Sequence, residues 1–318
     1  MSNGKLRMAL YFSVFLLGSW GFDRYARLKE ISASQYALHT LTEIKVLCRN
    51  ERRGRQAILA AFQRIKELEE KFNYFSPSSE LSNINKNAYA AEVKLSPDMH
   101  RILEQAVAGS RSTDGAFDIT VTPVTRLYGF GTDSRRAPDA PELRQKIQSV
   151  GWQNIKLDAE KQTARLLNKD TLLDLGGLAK GYAVDEAVQT LRQHGITDAL
   201  VNAGGNIYAL GLNRGQKWRI GIRRPRAAAD SAQIIELNNE ACATSGDYEQ
   251  YFLDASQRRI SHIFNPRTGR PANLENGLAS VTVIAATAAR ADLLSTACFV
   301  LGEEKSKKIA EKKYFYRN

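Results

Sequence analysis

The 318-residue sequence predicts an α+β protein in which mixed or antiparallel sheets are layered against flanking helices within one large domain. Three observations support this prediction. Short runs with alternating apolar and polar residues, typical of strands, recur along the chain, and several follow one another closely enough to form hairpins. Longer amphipathic stretches interrupt them at a few places only. The order therefore differs from the regular strand–helix alternation of a doubly wound sheet.

The predicted helices have identifiable faces and ends. Residues 55–72 place Ile58, Phe62, Ile65 and Phe72 on one face. Ser96-Pro97 is a helix start, because serine caps the free N–H groups and proline fits the first turn. The helix from Ala179 ends at Gly195, a typical C-terminal glycine. A short helix follows the proline-rich loop 131–141, and a last helix covers 288–301 before Gly302.

The remaining segments are predicted strands and loops. Strands are predicted at 30–50, 154–158, 163–167, 171–175, 201–206, 218–223, 233–237, 250–254, 259–264 and 280–285. Residues 72–85 are predicted to form a polar loop, and 115–118 an extended segment. We divide the chain into an N-terminal segment 1–30, a domain 31–302 and a basic tail 303–318 without a strand.

The N-terminal segment has the pattern of an export signal. Lys5 and Arg7 precede an uncharged run from Met8 to Phe22, which is short for a membrane span and suitable for a signal core. Basic residues before the run favour a positive-inside orientation. The sequence therefore predicts a periplasmic protein, exported or anchored to the inner membrane by this hydrophobic segment.

The net charge of +11 arises from 45 Lys and Arg against 34 Asp and Glu. Such an excess suits nucleic acid, an anionic membrane surface or an anionic ligand. No aromatic-basic nucleic-acid motif accompanies it, so the sequence favours a membrane surface and an anionic ligand over nucleic acid. The three cysteines are far apart and form no metal-binding spacing.

Residues 174–185, DLGGLAKGYAVD, join a predicted strand to a helix through Gly176-Gly177. The free N–H groups and the positive dipole end of such a helix suit a phosphate, and Lys180 adds a cation. Strand–glycine–helix junctions are more often packing turns, so both interpretations stay open at this point.

Two further motifs carry reactive groups. Asp292 and Thr296 are four residues apart on a helix, so their oxygens lie side by side and suit Mg²⁺; the alternative is a local hydrogen bond. His262 stands at a strand exit among glycine, proline and arginine, where it is either a general base or a structural histidine. Phe75 and the segment Gly115–Asp118 could hold a planar ring or pack in the core.

Eight motifs occur in a fixed order along the chain. They are Ser79-Glu80-Leu81 through Asn85, Gly115–Thr120, Gly129-Phe130-Gly131, Asp174–Tyr182, Val201–Asn206, Ala243–Tyr248, the His262 turn, and Ser280–Ala285 continuing through Asp292 to Thr296. From about Ile58 to Gly302 the chain resembles the ApbE family of FAD:protein FMN transferases. The order of all eight is far more specific than any one motif.

The resemblance implies an ApbE-like, T-fold-related domain and a Mg²⁺-dependent enzyme. Such an enzyme cleaves FAD, attaches FMN to a Thr or Ser of a partner protein, and releases AMP. The implied partner is an exported or membrane-associated flavin acceptor of an electron-transfer chain. Two alternatives stay open: an FAD pyrophosphatase, in which water is the acceptor, and a non-enzymatic periplasmic FAD-binding protein.

The resemblance also implies a set of site residues. Mg²⁺ would be held by Asp292, Thr296 and the carbonyl of Ala179, and His262 would be the base. FAD would lie along Phe75, Ala116, Phe117, Asp118, Gly176, Lys180, Tyr182 and Phe264. The chain departs from the family pattern at Phe75, where tyrosine is usual, and at His39, where a glycine is usual.

Overall fold

A computed structural model of the chain describes residues 27–132, 134–226, 232–309 and 312–317. Its strands are β1 (Lys29–Ala37), β2 (Thr40–Cys48), β3 (Val93–Lys94), β4 (Ile155–Asp158), β5 (Thr163–Leu166), β6 (Ala199–Ala203), β7 (Asn206–Leu210), β8 (Trp218–Arg223), β9 (Ala232–Leu237), β10 (Glu240–Gly246), β11 (Tyr251–Leu253), β12 (Arg259–Ser261), β13 (Leu278–Ala285) and β14 (Lys312–Arg317). Its helices are α1 (Glu51–Phe72), α2 (Glu80–Asn87), α3 (Pro97–Ser112), α4 (Thr122–Leu127), α5 (Ala140–Ile147), α6 (Ala179–Gln193), α7 (Ala272–Asn276) and α8 (Ala288–Lys305). The hydrophobic run Met8–Phe22 lies outside the described residues.

The main sheet has seven strands in the order β1-β2-β6-β7-β10-β13-β14. Every neighbouring pair is antiparallel. A three-stranded sheet, β3-β5-β4, and two two-stranded sheets, β8-β9 and β11-β12, complete the strand pairing of the described residues. The predicted α+β class with layered antiparallel sheets is therefore confirmed.

Three helices cover one face of the main sheet. Helix α1 packs on β1 and β2, α6 on β6 and β7, and α8 on β10 and β13, and α6 lies between the other two. Their inward side chains form the main core; Ile44, Ile65 and Phe299 are among its fully buried members. The hairpin β8-β9 covers the opposite face, where Trp218 and Ile220 pack in one cluster with sheet residues such as Ile207.

The strand region predicted at 30–50 is a hairpin of two strands. Ala37 pairs with Thr40, so the connection contains only Leu38 and His39. Both residues have positive φ, 55° and 58°, as expected for a type I′ turn. The turn thereby carries His39 to the tip of the hairpin.

The prediction of a loop over residues 72–85 was wrong in its second half, because α2 begins at Glu80. The side chain of Ser79 accepts the N–H of Ser82 at 3.0 Å and caps this helix. Only Leu81 and Ile84 of its eight residues are buried. A helix this short with two apolar anchors gives too weak a periodicity to identify from sequence.

The strand predicted at 171–175 is absent. The N–H of Asp174 donates to the carbonyl of Ile119 at 2.9 Å, and the N–H of Leu173 donates to Oδ1 of Asn85 at 2.7 Å. The segment is extended, but its partners are a loop and a side chain rather than a strand. Apolar composition alone cannot distinguish these cases.

The sequence analysis assigned no strand after Gly302, yet β14 pairs antiparallel with β13 and forms one edge of the main sheet. Aromatic residues 314–316 have high strand propensity, which the surrounding lysines obscured in the sequence. Among the described residues, no helix is both long and apolar enough to cross a bilayer.

Candidate active site

Helices α6 and α8 bring the glycine turn opposite the Asp292 motif. The N–H of Gly181 donates to Oδ2 of Asp292 at 3.0 Å. One turn away, a Cβ on Gly177 would lie 3.3 Å from Oγ1 of Thr296. A Cβ on Gly181 would lie 2.3 Å from the carbonyl oxygen of Ala288, so only glycine permits this approach of the two helices.

Asp292 is a buried carboxylate, 5% exposed. Burial raises its pKa, while Lys180, the N–H of Gly181 and the Asn206 side chain oppose that rise. A buried carboxylate with so few protein partners is costly to ionise, and a bound cation removes that cost.

Three hydroxyl groups form a cluster beside the backbone of Asp292. Thr296 Oγ1 lies 3.2 Å from the backbone oxygen of Asp292, so the local hydrogen bond considered from the sequence is present. Ser245 Oγ lies 2.8 Å from Ser295 Oγ and 3.3 Å from Thr296 Oγ1. The hydroxyl oxygens keep lone pairs for a metal ion.

The structure places Gly177 beside Thr296. The N–H of Gly181 lies in the first turn of α6, where it has no intrahelical acceptor, and it bonds to Asp292. Within the described residues the Gly177 carbonyl accepts no hydrogen bond. Ala179, predicted as the backbone ligand, begins α6, so its carbonyl is directed into the helix toward Ala183. Gly177 is therefore the better placed backbone oxygen.

The donor set fits Mg²⁺ rather than zinc. In the described part of the chain, no three His, Cys, Asp or Glu side chains cluster closely enough to hold a metal ion. One carboxylate, one hydroxyl and one carbonyl are hard oxygen donors. Mg²⁺ commonly uses few protein ligands and completes its octahedron with waters and substrate phosphates.

Lys180 connects the metal ligands with His262. Its Nζ donates to the carbonyl of Gly176 at 3.0 Å, across the glycine turn. The same charge lowers the pKa of both Asp292 and His262, so it lies near both. A cation at this point can neutralise a phosphate bound at the start of α6.

His262 is positioned as a neutral base. Its Nδ1 lies 3.1 Å from the carbonyl oxygen of Gln250. Because a carbonyl only accepts, Nδ1 carries the proton and Nε2 keeps a free lone pair. The burial of its surroundings, and next the charge of Lys180, lower the pKa of His262 to about 4. The partly exposed ring, 6.4 Å from that of Phe130, is therefore neutral at pH 7.

Phe75 is the one predicted ring-stacking residue that is open to solvent. It is 60% exposed and makes edge contacts with Tyr74 and His39, at centroid distances of 5.3 and 6.1 Å. A Cβ on Gly131 would lie 2.8 Å from the Phe75 ring. The ring therefore rests on a glycine backbone and presents a free face.

Five of the other predicted FAD contacts have buried side chains, whereas Gly176 is exposed and Lys180 is half-buried. Ala116, Phe117, Asp118, Tyr182 and Phe264 are at most 7% exposed. Both oxygens of Asp118 are occupied, by the N–H groups of Thr120 and Trp152, so only the backbone of this segment is available to a ligand. Tyr182 packs against Phe72 and Phe264 against Tyr128, which places their rings in the protein core.

Three residues of the site lacked an assigned role in the sequence analysis: Gly177, Asn206 and Ser245. Each stood in a motif noted for its order along the chain. Their roles depend on which strand or helix faces them, and the sequence did not supply that pairing. The hydrogen bond from the Gly181 N–H to Asp292 also cannot be seen without the packing of α6 on α8.

Comparison with known proteins adds an independent observation. The model of the ApbE family matches residues 38–316. The chain belongs to the ApbE family. The match extends into β14, so this strand lies within the family pattern as well as the sheet.

Curated relatives and solved structures agree with this assignment. A protein of Haemophilus influenzae named FAD:protein FMN transferase is 37% identical over 256 residues, covering 78% of this chain and 73% of the relative. The crystal structure of the ApbE protein from Thermotoga maritima has a TM-score of 0.80 at 33% identity and covers 88% of each chain. The apo structure of the Pseudomonas stutzeri flavinyl transferase ApbE has a TM-score of 0.82 at 28% identity, with 92% of each chain covered.

Proposed function

We propose that this protein is a Mg²⁺-dependent FAD:protein FMN transferase that releases AMP. The observation that supports it best is one shared site: the Asp292 carboxylate, the glycine turn with Lys180, and His262 as a neutral base with a free Nε2. Family membership and the names of the curated relatives point to the same chemistry.

The residues suit transfer of a phosphoryl group. The hydroxyl oxygen of the acceptor forms a bond to the FMN phosphorus, the bond from that phosphorus to the AMP oxygen breaks, and AMP leaves with the electron pair. His262 Nε2 takes the hydroxyl proton. Lys180 and the positive dipole end of α6 stabilise the phosphoryl oxygens. Mg²⁺, held by Asp292, Thr296 and the Gly177 carbonyl, would supply further neutralisation of charge.

The direct test is incubation with FAD, Mg²⁺ and threonine-containing candidate acceptor peptides, followed by mass spectrometry. We expect a peptide that carries FMN and an equal amount of AMP. AMP without a modified peptide would support an FAD pyrophosphatase. Retained FAD without AMP would support an FAD-binding protein without catalytic activity.

We also propose that the domain acts outside the cytoplasm, attached to the inner membrane through its N-terminal segment, on an acceptor of an electron-transfer chain. The basic flank before the Met8–Phe22 run supports this orientation. An export-dependent reporter should be fused after Asn318, since a fusion at Gly302 would remove β14 from the sheet. Activity of a cytosol-only reporter at that position would contradict the proposal.

Substitution of Phe75 should change FAD affinity with little effect on stability. Phe75→Ala removes an exposed ring face, and we expect roughly fivefold or greater weakening of FAD binding. Phe75→Tyr adds one hydroxyl and should tighten binding by a few-fold, since a hydrogen bond contributes about 0.5–1.5 kcal/mol. Titration of the apo-protein by flavin fluorescence measures both. Unchanged affinity of Phe75→Ala would show that the ring does not contact FAD.

The pH dependence of kcat/KM should reflect the low pKa of His262. The ring loses its basic lone pair only when protonated, so activity should persist below pH 6.5 and fall near pH 4. Lys180→Met removes a charge that lowers this pKa, so the acidic limb of that variant should shift upward. A wild-type profile with half-maximal kcat/KM near pH 6.5 would contradict the lowered pKa of His262.

A further inference from the structure

The end of the main sheet opposite the candidate active site is strongly basic. Strand β1 begins there, β2 ends there, and β6 begins there. The exposed cations of this end, which we name the basic end, are Arg27, Lys29, Arg49, Arg52, Arg53, Arg55, Arg214 and Lys217. Among the described residues of this end, the acids Glu30, Glu51 and Glu240 are not fully buried, and they are outnumbered by the eight cations, so positive charge dominates.

Ion pairs and hydrogen bonds join these residues into one surface. Lys29 Nζ lies 3.5 Å from a Glu51 carboxylate oxygen, which links β1 to the start of α1. Arg214 donates to the carbonyl of Leu28 at 3.0 Å, which links the loop after β7 to the first described residues. Helix α1 also begins at this end, and its positive dipole terminus adds to the field.

Helix α6 fixes the distance between the basic end and the active site. Lys180 lies in its first turn, and the backbone oxygen of His194, which follows its last residue, accepts a 2.6 Å hydrogen bond from Arg53. Fifteen helical residues span about 20 Å. The active site therefore faces away from the basic end.

The position of the hydrophobic run identifies what the basic end faces. Only residues 23–26 separate Phe22 from Arg27. Five residue steps of chain reach at most about 18 Å. If the run is held in a bilayer, as proposed above, the surface that lies next to the headgroups is therefore the one around Arg27.

We propose that the basic end docks onto anionic phospholipid headgroups and holds the active site about 20 Å or more above the bilayer. The proposal rests on the membrane attachment proposed above. Eight exposed cations match a negative surface, and each Lys or Arg near such a surface strengthens binding about fivefold. The acceptor hydroxyl must then lie on a part of its protein that reaches this height.

Energy transfer from the full chain to labelled lipids tests the orientation. In a Cys48→Ser background, a dye is attached at Gln216→Cys in the basic end or at Ser78→Cys near Phe75, and both positions are exposed. The chain is reconstituted into phosphatidylcholine vesicles, with or without about a third phosphatidylglycerol, that carry a headgroup acceptor dye. On anionic vesicles we expect several-fold stronger transfer from position 216 than from position 78, and a smaller difference on neutral vesicles or at high salt.

A charge-reversal pair provides the matched control. The first triple variant combines Arg49→Glu, Arg52→Glu and Lys217→Glu. On anionic vesicles it should reduce the difference in energy transfer between positions 216 and 78 to the value seen on neutral vesicles. The matched triple variant combines Lys86→Glu, Lys156→Glu and Lys169→Glu, which are also exposed but lie outside the basic end. It changes the net charge by the same amount and should leave the difference in energy transfer on anionic vesicles intact. Equal transfer from both positions on anionic vesicles, or no effect of the first triple variant, would overturn the docking. AMP release, measured separately in detergent, should be normal in both triple variants and tests the catalytic proposal alone.

Discussion

Asp292→Asn should lower FAD cleavage at saturating substrate by at least about 10³-fold while the protein remains folded. The amide keeps the shape of the side chain and an oxygen for the Gly181 N–H, but it removes the charge that holds Mg²⁺. AMP release measures cleavage, and titration with Mn²⁺ followed by electron paramagnetic resonance measures metal affinity directly. The rate of FAD cleavage and the metal affinity should decline together.

Asp185→Asn is the matched control. Asp185 is also a largely buried carboxylate of α6, but it accepts the N–H groups of Ala288 and Ala289 at the start of α8. Replacing this capping carboxylate should lower the free energy of unfolding by about 1 kcal/mol, as for other helix caps, and leave metal affinity unchanged. Normal cleavage by Asp292→Asn, or equal loss of metal affinity in both variants, would contradict the metal site.

His262→Ala should slow FMN transfer to an acceptor peptide by about 10²-fold or more, while FAD still binds. The reason is the loss of Nε2, since Nδ1 is committed to the Gln250 carbonyl. Added imidazole should restore part of the activity, because it can occupy the vacated space and accept the proton. A purely structural histidine would give neither a selective loss of transfer nor this rescue.

The sequence predicted the α+β class and most long helices, and the structure confirms both. Asp292, Thr296, Lys180 and His262 could be proposed as reactive residues because each stands in a local motif with its own chemistry, and their roles stay predictions. The sequence does not decide between the carbonyls of Gly177 and Ala179 as a backbone ligand, since the choice depends on where α6 begins and on what packs against its first turn. The burial of Phe264, one of the residues along which FAD was predicted to lie, likewise depends on packing, and its ring lies in the core against Tyr128.

The missed elements share a physical cause. Helix α2 is short, β14 carries many charges, and residues 171–175 are apolar without a strand partner. In each case the long-range environment outweighs local propensity, and a single sequence does not report that environment.

In the proposed Mg²⁺ site, the close approach of α6 to α8 at Gly181 would make metal affinity a measure of helix spacing. The Asp292 carboxylate belongs to one helix and the glycine turn leads into the other, so a substitution in the core that separates them by a fraction of an ångström displaces the ligands. Conversely, a bound ion crosslinks the two helices and should raise the melting temperature as its concentration rises above Kd. Core variants distant from the site should therefore be detectable by metal titration before any change in fold is visible.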